Sequence, residues 1–280
     1  MNKRLLVSII LPTYNRASIL EACIDSVLNQ TYTNLELIVV DDFSKDNTRD
    51  ILLKYMKQTK KIRGQSNSVN VGSSITRNIG IKMANLADLV MIIEDDLVLH
   101  PDCVEKLVAT YNTLAEQGID AVVIPRLIEN TPPDKEAVMR NVPFYIDKLT
   151  GEIFNNYGLD VGELTEVEIG HACCLYSKNK LDAMGGYPEG TYTGTRCREE
   201  SDVNMRLAKI GCRFFFQPNA LADHNRISTG GNRMYGRVKK FCDYSRNHIV
   251  YLLRIYRIKS LYMIPCFLCK LGVKTVVNNL

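Results

Sequence analysis

The chain has 280 residues, of which 46% are hydrophobic and 24% are charged. This composition excludes a disordered or fibrous protein, and the length allows a sizeable core in one or two domains. The net charge of +4 is concentrated near the C-terminus, because residues 233–280 hold ten Lys or Arg against one acid, Asp243. This segment favours a local anionic partner such as a membrane surface, and not a nucleic-acid-binding body.

The first 125 residues alternate short apolar runs with helical patterns, which is typical of a parallel sheet covered by crossover helices. The first run lacks a cleavage site and leads into Pro12, which indicates a buried strand and not a signal peptide. Ligands bind beyond the carboxyl ends of strands in such sheets. Strands are predicted at residues 5–11, 35–40, 61–65, 89–93 and 121–124, and helices around residues 19–28, 51–55 and 104–111. The predicted strand ends that form this edge are residues 12–16, 41–48, 66–78 and 94–97.

Residues 126–165 lose this alternation and carry Pro132, Pro133 and several glycines, which predicts an irregular connection with a hairpin. A second layer follows, with an apolar segment at residues 172–176, a helix at 199–210 and a strand at 212–216. Nine cysteines, an odd number without framework spacing, favour a reducing, cytoplasmic environment.

The basic C-terminal segment carries an apolar stripe that includes Ile249, Leu252 and Tyr256. It has no run of roughly 18 uncharged apolar residues, the length that a membrane-spanning helix needs. Two interpretations stay open for residues 236–275. They form amphipathic helices that lie peripherally on the cytoplasmic face of a membrane, or helices packed on the rest of the protein.

Carboxylates and hydroxyls crowd the segment after the second predicted strand, residues 41–48. Asp42 can accept hydrogen bonds from a nucleobase or a ribose, whereas Ser44 and Asp46 can cap the following helix. No G-x-G-x-x-G follows the first strand and no G-x-x-x-x-G-K-[ST] occurs in the chain. These absences disfavour dinucleotide-dependent oxidoreductases and P-loop enzymes.

The acidic triplet Glu94, Asp95 and Asp96 directly follows an apolar strand. Adjacent carboxylates repel one another unless a cation shares them, and Mg²⁺ or Mn²⁺ prefers such oxygen ligands. Because side chains alternate along an extended segment, Glu94 and Asp96 are expected to point the same way. The triplet predicts a metal site that can bridge to a diphosphate, and the alternative is a solvated acidic loop.

A series of segments in order across residues 7–224 resembles the inverting glycosyltransferases of family 2. The segments are V-S-I-I-L-P-T-Y-N-R, L-E-L-I-V-V-D-D-F-S-K-D-N-T, N-V-G-S-S-I-T-R-N-I-G-I-K-M-A, I-I-E-D-D, and R-E-E-S-D-V-N-M-R-L-A-K-I-G followed by P-N-A-L-A-D-H. The resemblance implies an α/β GT-A fold, with a Rossmann-like, mostly parallel central sheet and flanking helices, plus C-terminal amphipathic helices. It implies one domain at 1–232, with a nucleotide-binding half at 1–125 and an acceptor-binding half at 126–232, followed by a basic helical tail at 233–280.

The resemblance also implies a site for the nucleotide-sugar donor. Tyr14 and Asp42 match residues that contact the nucleobase, and Pro12 shapes the same loop. Asp95 matches an acid near the ribose. Arg77 stands in the R-N signature and is expected to neutralise phosphate or to pair with a strand-end carboxylate.

A metal site and a general base follow from the same comparison of motifs. Asp96 matches the metal-binding acid, Glu94 stands where the family usually has Asp, and His224 resembles a histidine that some related enzymes turn towards the metal; a structural role is the alternative for this histidine. Glu200 matches the catalytic aspartate that deprotonates the acceptor hydroxyl. The residues predicted to bind the acceptor are Glu199, Asp202 and His171, for which a helix start or a strand cap are the alternatives.

The sequence therefore predicts a glycosyltransferase that uses Mn²⁺ or Mg²⁺ and moves a sugar, with inversion, from a nucleotide-sugar donor. The expected donor is a UDP-sugar and the expected acceptor a saccharide or lipid-linked glycan. One rival is a nucleotidyltransferase that makes sugar nucleotides, although such enzymes have a Gly- and basic-rich loop where this chain has Pro12 to Asn15. Another is a catalytically silent glycan-binding protein on the same fold.

Overall fold

One mixed sheet organises the chain in the computed structural model, which describes residues 4–129, 131–194, 196–225 and 236–277. Its strands are β1 (Val7–Thr13), β2 (Leu35–Asp41), β3 (Ile62–Ser66), β4 (Leu89–Ile92), β5 (Leu97–Leu99), β6 (Ala121–Glu129), β9 (Thr165–Val167), β10 (Leu175–Ser177) and β11 (Arg213–His224). The order is β3-β2-β1-β4-β10-β6-β11-β5, with β9 paired to β11. β7 (Phe144–Ile146) and β8 (Ile153–Asn155) form a separate hairpin.

Helices cover both faces of the sheet, which explains why the central strands are nearly continuous apolar runs. The helices are α1 (Ala17–Leu28), α2 (Thr48–Gln58), α3 (Ser73–Met83), α4 (Cys103–Glu116), α5 (Lys135–Arg140), α6 (Lys178–Ala183), α7 (Glu199–Lys209), α8 (Arg237–Tyr256) and α9 (Ser260–Val277). Successive residues of β1 face opposite sides. Ile9 joins the core beneath α1, α2 and α4, whereas Ile10 joins the core beneath α3 and α7.

The five strands predicted in the first half are confirmed, but two strands run further than their apolar patterns indicated. β6 continues to Glu129, and β11 continues past residue 216 to His224. The apolar run of β11 ends at Phe216, and its pairing register with β6 shifts between Gln217 and Leu221. The segment predicted at 172–176 forms a strand only from Leu175.

Helix α3 was not predicted, because residues 66–78 were assigned only to a strand end. Its buried residues are mainly small or polar and so give no apolar stripe; they are Ser74, Thr76, Arg77, Asn78, Gly80 and Ile81. Segments of this kind lack the 3.6-residue hydrophobic period on which sequence prediction depends.

Helices α8 and α9 pack on the rest of the protein. Tyr251, Leu252 and Met263 are buried in a third hydrophobic cluster, and Lys270 of α9 lies 2.7 Å from Glu152. The apolar stripe of the tail is thus a packing face. Among the described helices, none combines the length and apolarity that crossing a bilayer requires. The predicted domain boundary at 232 lies outside the described residues.

Candidate active site

Three side chains with metal-ligating atoms converge at the carboxyl ends of the central strands. Glu94 and Asp96 follow β4, and His224 ends β11. Because β11 runs antiparallel to β5 and pairs His224 with Leu97, the imidazole lies beside the acidic triplet. Its Nε2 lies 3.4 Å from Asp96 Oδ1 and 3.9 Å from Glu94 Oε2. The three ligand atoms all lie within 4.8 Å of one another.

The hydrogen bonding of His224 fits a divalent cation at this cluster. Its Nδ1 lies 2.6 Å from Glu129 Oε1, while its buried Nε2 has no hydrogen-bond partner in the described part of the chain. A carboxylate that accepts the Nδ1 proton fixes the ring and directs Nε2 at the ligand position, as is common in metal-binding histidines. Two carboxylates and an imidazole nitrogen form a donor set that suits a divalent metal ion.

Electrostatics favour a positive charge at the same place. Burial acts to lower the pKa of His224, but Asp96, Glu129 and Glu94 outweigh it and raise this pKa to about 9. The imidazole therefore carries a proton at neutral pH, and a cation that binds Nε2 replaces that proton. Either charge offsets the repulsion between the neighbouring carboxylates.

Asp95 lies outside this cluster. The sequence predicted this from the alternation of an extended segment, but β4 ends at Ile92 and residues 94–97 form a turn, in which the N–H of Leu97 donates a 3.1 Å hydrogen bond to the carbonyl oxygen of Glu94. Asp95 lies 3.2 Å from the Nε of Arg16, and both side chains are almost fully buried. Burial raises the pKa of Asp95 to about 7, although Arg16 opposes the shift and Asp96 adds to it. The acidic triplet is therefore divided between a candidate metal site and a buried ion pair.

Arg77 connects the acidic triplet to the second acidic cluster. The guanidinium, buried on α3, lies 2.8 Å from Glu200 and 3.1 Å from Glu199 through Nη1, and 3.7 Å from Glu94 through Nη2. The predicted pairing with a strand-end carboxylate is thus present. A contact with phosphate stays a prediction.

The two glutamates at the start of α7 differ in exposure. Glu199 is 2% exposed and also accepts a 2.6 Å hydrogen bond from Ser73 Oγ; burial raises its pKa, and Arg77 acts in the opposite direction. The side chain of Glu200 is 25% exposed. Glu200 is therefore the carboxylate of this pair that an external hydroxyl can reach.

Asp42 is buried at the end of β2, where it orders the loop before α3. Its Oδ1 accepts a 2.8 Å hydrogen bond from the backbone N–H of Val71, and its Oδ2 accepts one of 2.7 Å from Gly72. Gly72 has φ +87°, a conformation that favours glycine. Pro12 and Tyr14 lie partly exposed at the neighbouring end of β1. These residues lie at the same edge of the sheet, and their contact with a nucleotide stays a prediction.

His171 is buried with both ring nitrogens engaged by the backbone. Nε2 lies 2.9 Å from the carbonyl oxygen of Pro125, and Nδ1 accepts a 3.0 Å hydrogen bond from the N–H of Cys173. Burial lowers the pKa of His171 to about 4. We therefore assign this neutral histidine to holding the segment before β10, and not to acceptor binding.

Asp202 is completely buried and anchors the tail. Its carboxylate accepts hydrogen bonds from Arg206 Nε at 2.6 Å, Arg254 Nε at 2.9 Å and Tyr192 Oη at 2.9 Å. Arg254 belongs to α8, so this carboxylate joins α7 to the C-terminal helices. No atom of Asp202 faces solvent, and we assign it to stability in place of acceptor binding.

Sequence reasoning missed two residues that support the site, Glu129 and Arg198. Glu129 was missed because β6 was predicted to end at residue 124. Arg198 directly precedes the acidic cluster and has φ +85°, a strained conformation for a residue other than glycine. It is held there by hydrogen bonds of 3.1 Å to His248 Nδ1 and Tyr244 Oη of α8. The tail thus supports the start of α7, and no local motif signals this contact.

Comparison with known proteins agrees with this geometry. A family model described as "Glycosyl transferase family 2" matches residues 8–185. The glycosyltransferase GlyG of Streptococcus pneumoniae is 31% identical over 118 residues, which cover 42% of this chain and 38% of that protein. The poly(ribitol-phosphate) beta-N-acetylglucosaminyltransferase TarP of Staphylococcus aureus is 38% identical over 121 residues, which cover 42% of this chain and 35% of TarP.

Solved structures show the same fold. The S. aureus TarS 1-349 complex with UDP-GlcNAc superposes with a TM-score of 0.63 at 18% identity, covering 94% of this chain and 72% of that one. The GT-A architecture expected from the sequence is confirmed. The matched segments span about two fifths or less of GlyG and TarP.

Proposed function

The chain belongs to glycosyl transferase family 2, and we propose that it is a glycosyltransferase that transfers a sugar, with inversion, from a UDP-sugar to a saccharide or lipid-linked glycan. One observation carries this proposal: Arg77 lies within 2.8 Å of Glu200 and within 3.7 Å of Glu94. A single buried guanidinium thereby sets a partly exposed carboxylate next to a candidate metal cluster. Inverting transfer needs these two functions side by side.

The donor side of the proposal rests on strand-end residues and on one relative. Pro12, Tyr14 and Asp42 would receive the nucleobase, and Asp95 the ribose. TarS, whose structure holds UDP-GlcNAc, shares the fold, which supports a UDP-sugar as donor. When the donor binds, the guanidinium of Arg77 would also interact with the negatively charged diphosphate.

The metal side rests on Glu94, Asp96 and His224, which would hold Mn²⁺ or Mg²⁺. When bound, such an ion supplies Lewis-acid stabilisation of the negative charge on the departing diphosphate. Glu129 keeps the imidazole of His224 oriented. The negative charges of Glu94 and Asp96 would repel anions from the metal site until the cation binds.

Glu200 is the proposed general base. Its carboxylate takes the proton of the acceptor hydroxyl as the hydroxyl oxygen bonds to the anomeric carbon. The bond from that carbon to the diphosphate oxygen breaks on the opposite face, so the configuration inverts and the nucleoside diphosphate leaves with the bonding electrons. Arg77 fixes the direction of the Glu200 carboxylate, and buried Glu199 holds Arg77 in place.

The test is a donor-hydrolysis and transfer assay with Mn²⁺ and a panel of UDP-sugars. Glu200→Gln is expected to lower kcat by about 10²–10⁴-fold while leaving UDP binding unchanged, and Glu116→Gln on the exposed end of α4 serves as the control. Asp96→Ala is expected to lose metal-dependent turnover. Release of pyrophosphate from a sugar phosphate and UTP would instead identify a nucleotidyltransferase. UDP-sugar binding without turnover in the wild type would identify a silent binding protein.

A further inference from the structure

The turn between α8 and α9 exposes large apolar side chains that no part of the described structure covers. Ile258 and Leu261 are 82% and 78% exposed, and Leu253 and Tyr262 are 54% and 46% exposed. The opposite faces of the same helices are already packed on the catalytic domain. These four residues, together with Arg257 and Lys259, are called the turn patch. An exposed cluster of this kind marks an interaction surface.

Charge identifies the kind of partner. Arg257 and Lys259 are exposed within the patch, and no Asp or Glu occurs after Asp243. An anionic surface complements this arrangement, whereas a second copy of the same patch would bring like charges together. Apolar side chains flanked by Lys and Arg, with a tyrosine at the boundary, have the composition of interfacial membrane contacts.

A cavity of about 340 Å³ adjoins the patch and is lined by Tyr262 and Lys259 of the patch and by Lys148 and Tyr256 beside it. Lys148 is ion-paired with Glu168, so Lys259 supplies the net positive charge. The lining also includes Glu168 and the apolar side chains of Ile146, Met205 and Met263, so the cavity is a recess of mixed polarity next to the exposed apolar side chains. A lipid headgroup phosphate fits this combination, because its acyl chains would lie against Ile258 and Leu261.

We propose that the turn patch docks the protein on an anionic lipid bilayer, with Ile258 and Leu261 inserted at the interface and Arg257 and Lys259 at the phosphates. The proposal goes beyond the transfer reaction and does not depend on it. The sequence suggested that the apolar stripe of the tail contacts a membrane, but that stripe packs on the protein. The membrane contact proposed here is made by the turn between α8 and α9.

The experiment is co-sedimentation of the full chain with vesicles of phosphatidylcholine alone or mixed with phosphatidylglycerol. Wild type is expected to bind only the phosphatidylglycerol vesicles, and added salt is expected to weaken this binding. The combined Ile258→Glu and Leu261→Glu variant should bind at least about tenfold more weakly. Leu86→Glu is the matched control, because Leu86 is 78% exposed, as Leu261 is, but lies between α3 and β4.

Three results would overturn the proposal. The first is wild-type binding to phosphatidylglycerol vesicles no stronger than to phosphatidylcholine. The second is equal binding by the double variant and Leu86→Glu. The third is concentration-dependent self-association of the wild type, measured by sedimentation equilibrium, that the double variant abolishes, since the patch would then contact another copy. Donor hydrolysis in solution should be the same in all three proteins, which separates this test from that of the proposed reaction.

Discussion

Replacing Asp202 with alanine tests whether this residue stabilises the fold or binds substrate. The carboxylate is completely buried and accepts hydrogen bonds from Arg206, Arg254 and Tyr192. Without it, the hydroxyl of Tyr192 loses its acceptor, and a buried polar group left unpaired costs about 1–3 kcal/mol. In this variant Arg206 keeps its hydrogen bonds to the carbonyl oxygens of Met184 and Gly186, but it loses the negative charge of Asp202.

The expected cost of Asp202→Ala is about 3–5 kcal/mol, the range for breaking a buried ion pair by removing one partner. Arg254 is 42% exposed at its side chain and can turn to water, so the lower part of the range applies. At about 2 °C per kcal/mol for a chain of this size, this lower part of about 3–4 kcal/mol should reduce the melting temperature by about 6–8 °C. Glu21→Ala removes an exposed ion pair with Lys54 and should cost less than about 1 kcal/mol.

The assay is thermal and urea denaturation of the wild type, Asp202→Ala, Asp202→Asn and Glu21→Ala, together with KM for donor and acceptor. Asp202→Asn keeps the shape and part of the hydrogen bonding, so its stability should lie between those of wild type and Asp202→Ala. Wild-type stability of Asp202→Ala, combined with a raised KM for the acceptor alone, would refute the structural assignment. It would return Asp202 to the acceptor-binding role predicted from the sequence.

The remaining predictions concern other buried polar groups. Burial, aided by the charge of Arg198, lowers the pKa of His248 to about 3. Below about pH 6.5 the unfolded chain therefore binds a proton at this residue that the folded chain does not bind. As the pH falls from 7 to 5, this difference should lower the free energy of unfolding by roughly 2 kcal/mol. Urea denaturation at both pH values should show a smaller loss in His248→Gln, but not in the control His100→Gln. Glu129→Gln should weaken Mn²⁺ binding about 10–100-fold by calorimetry, and unchanged affinity would remove Glu129 from the site. Arg77→Ala leaves buried Glu199 without its cation and should cost about 3–5 kcal/mol in the same denaturation assay, besides lowering kcat.

Local sequence patterns were sufficient to predict the five strands of the first half of the chain and the position of the acidic triplet after β4. β1, β2 and β4 are apolar runs because helices cover both of their faces, and that requirement is visible in any single strand. Glu94 and Asp96 do contribute to one cluster without Asp95, as predicted, but a turn at residues 94–97 produces this arrangement and not the alternation of an extended backbone. The general base and the metal ligands were predicted from the family motifs, because composition alone does not identify them.

The partners of the site residues could be identified only from the tertiary structure. His224 meets Glu129 across 95 positions of sequence, because β11 continues through an irregular register that its apolar pattern did not reveal. Arg77 meets Glu199 across 122 positions, from a helix whose buried face is polar and was therefore not predicted.

The same division applies to the tail. An apolar stripe among basic residues indicated amphipathic helices, and the sequence determined that much, because the period of a helix is local. Which surface covers each side of those helices was decided by packing. Tyr251 and Met263 turned inward, whereas Ile258 and Leu261 were left exposed, because contact depends on where distant elements lie in space and not on the spacing of residues along the chain.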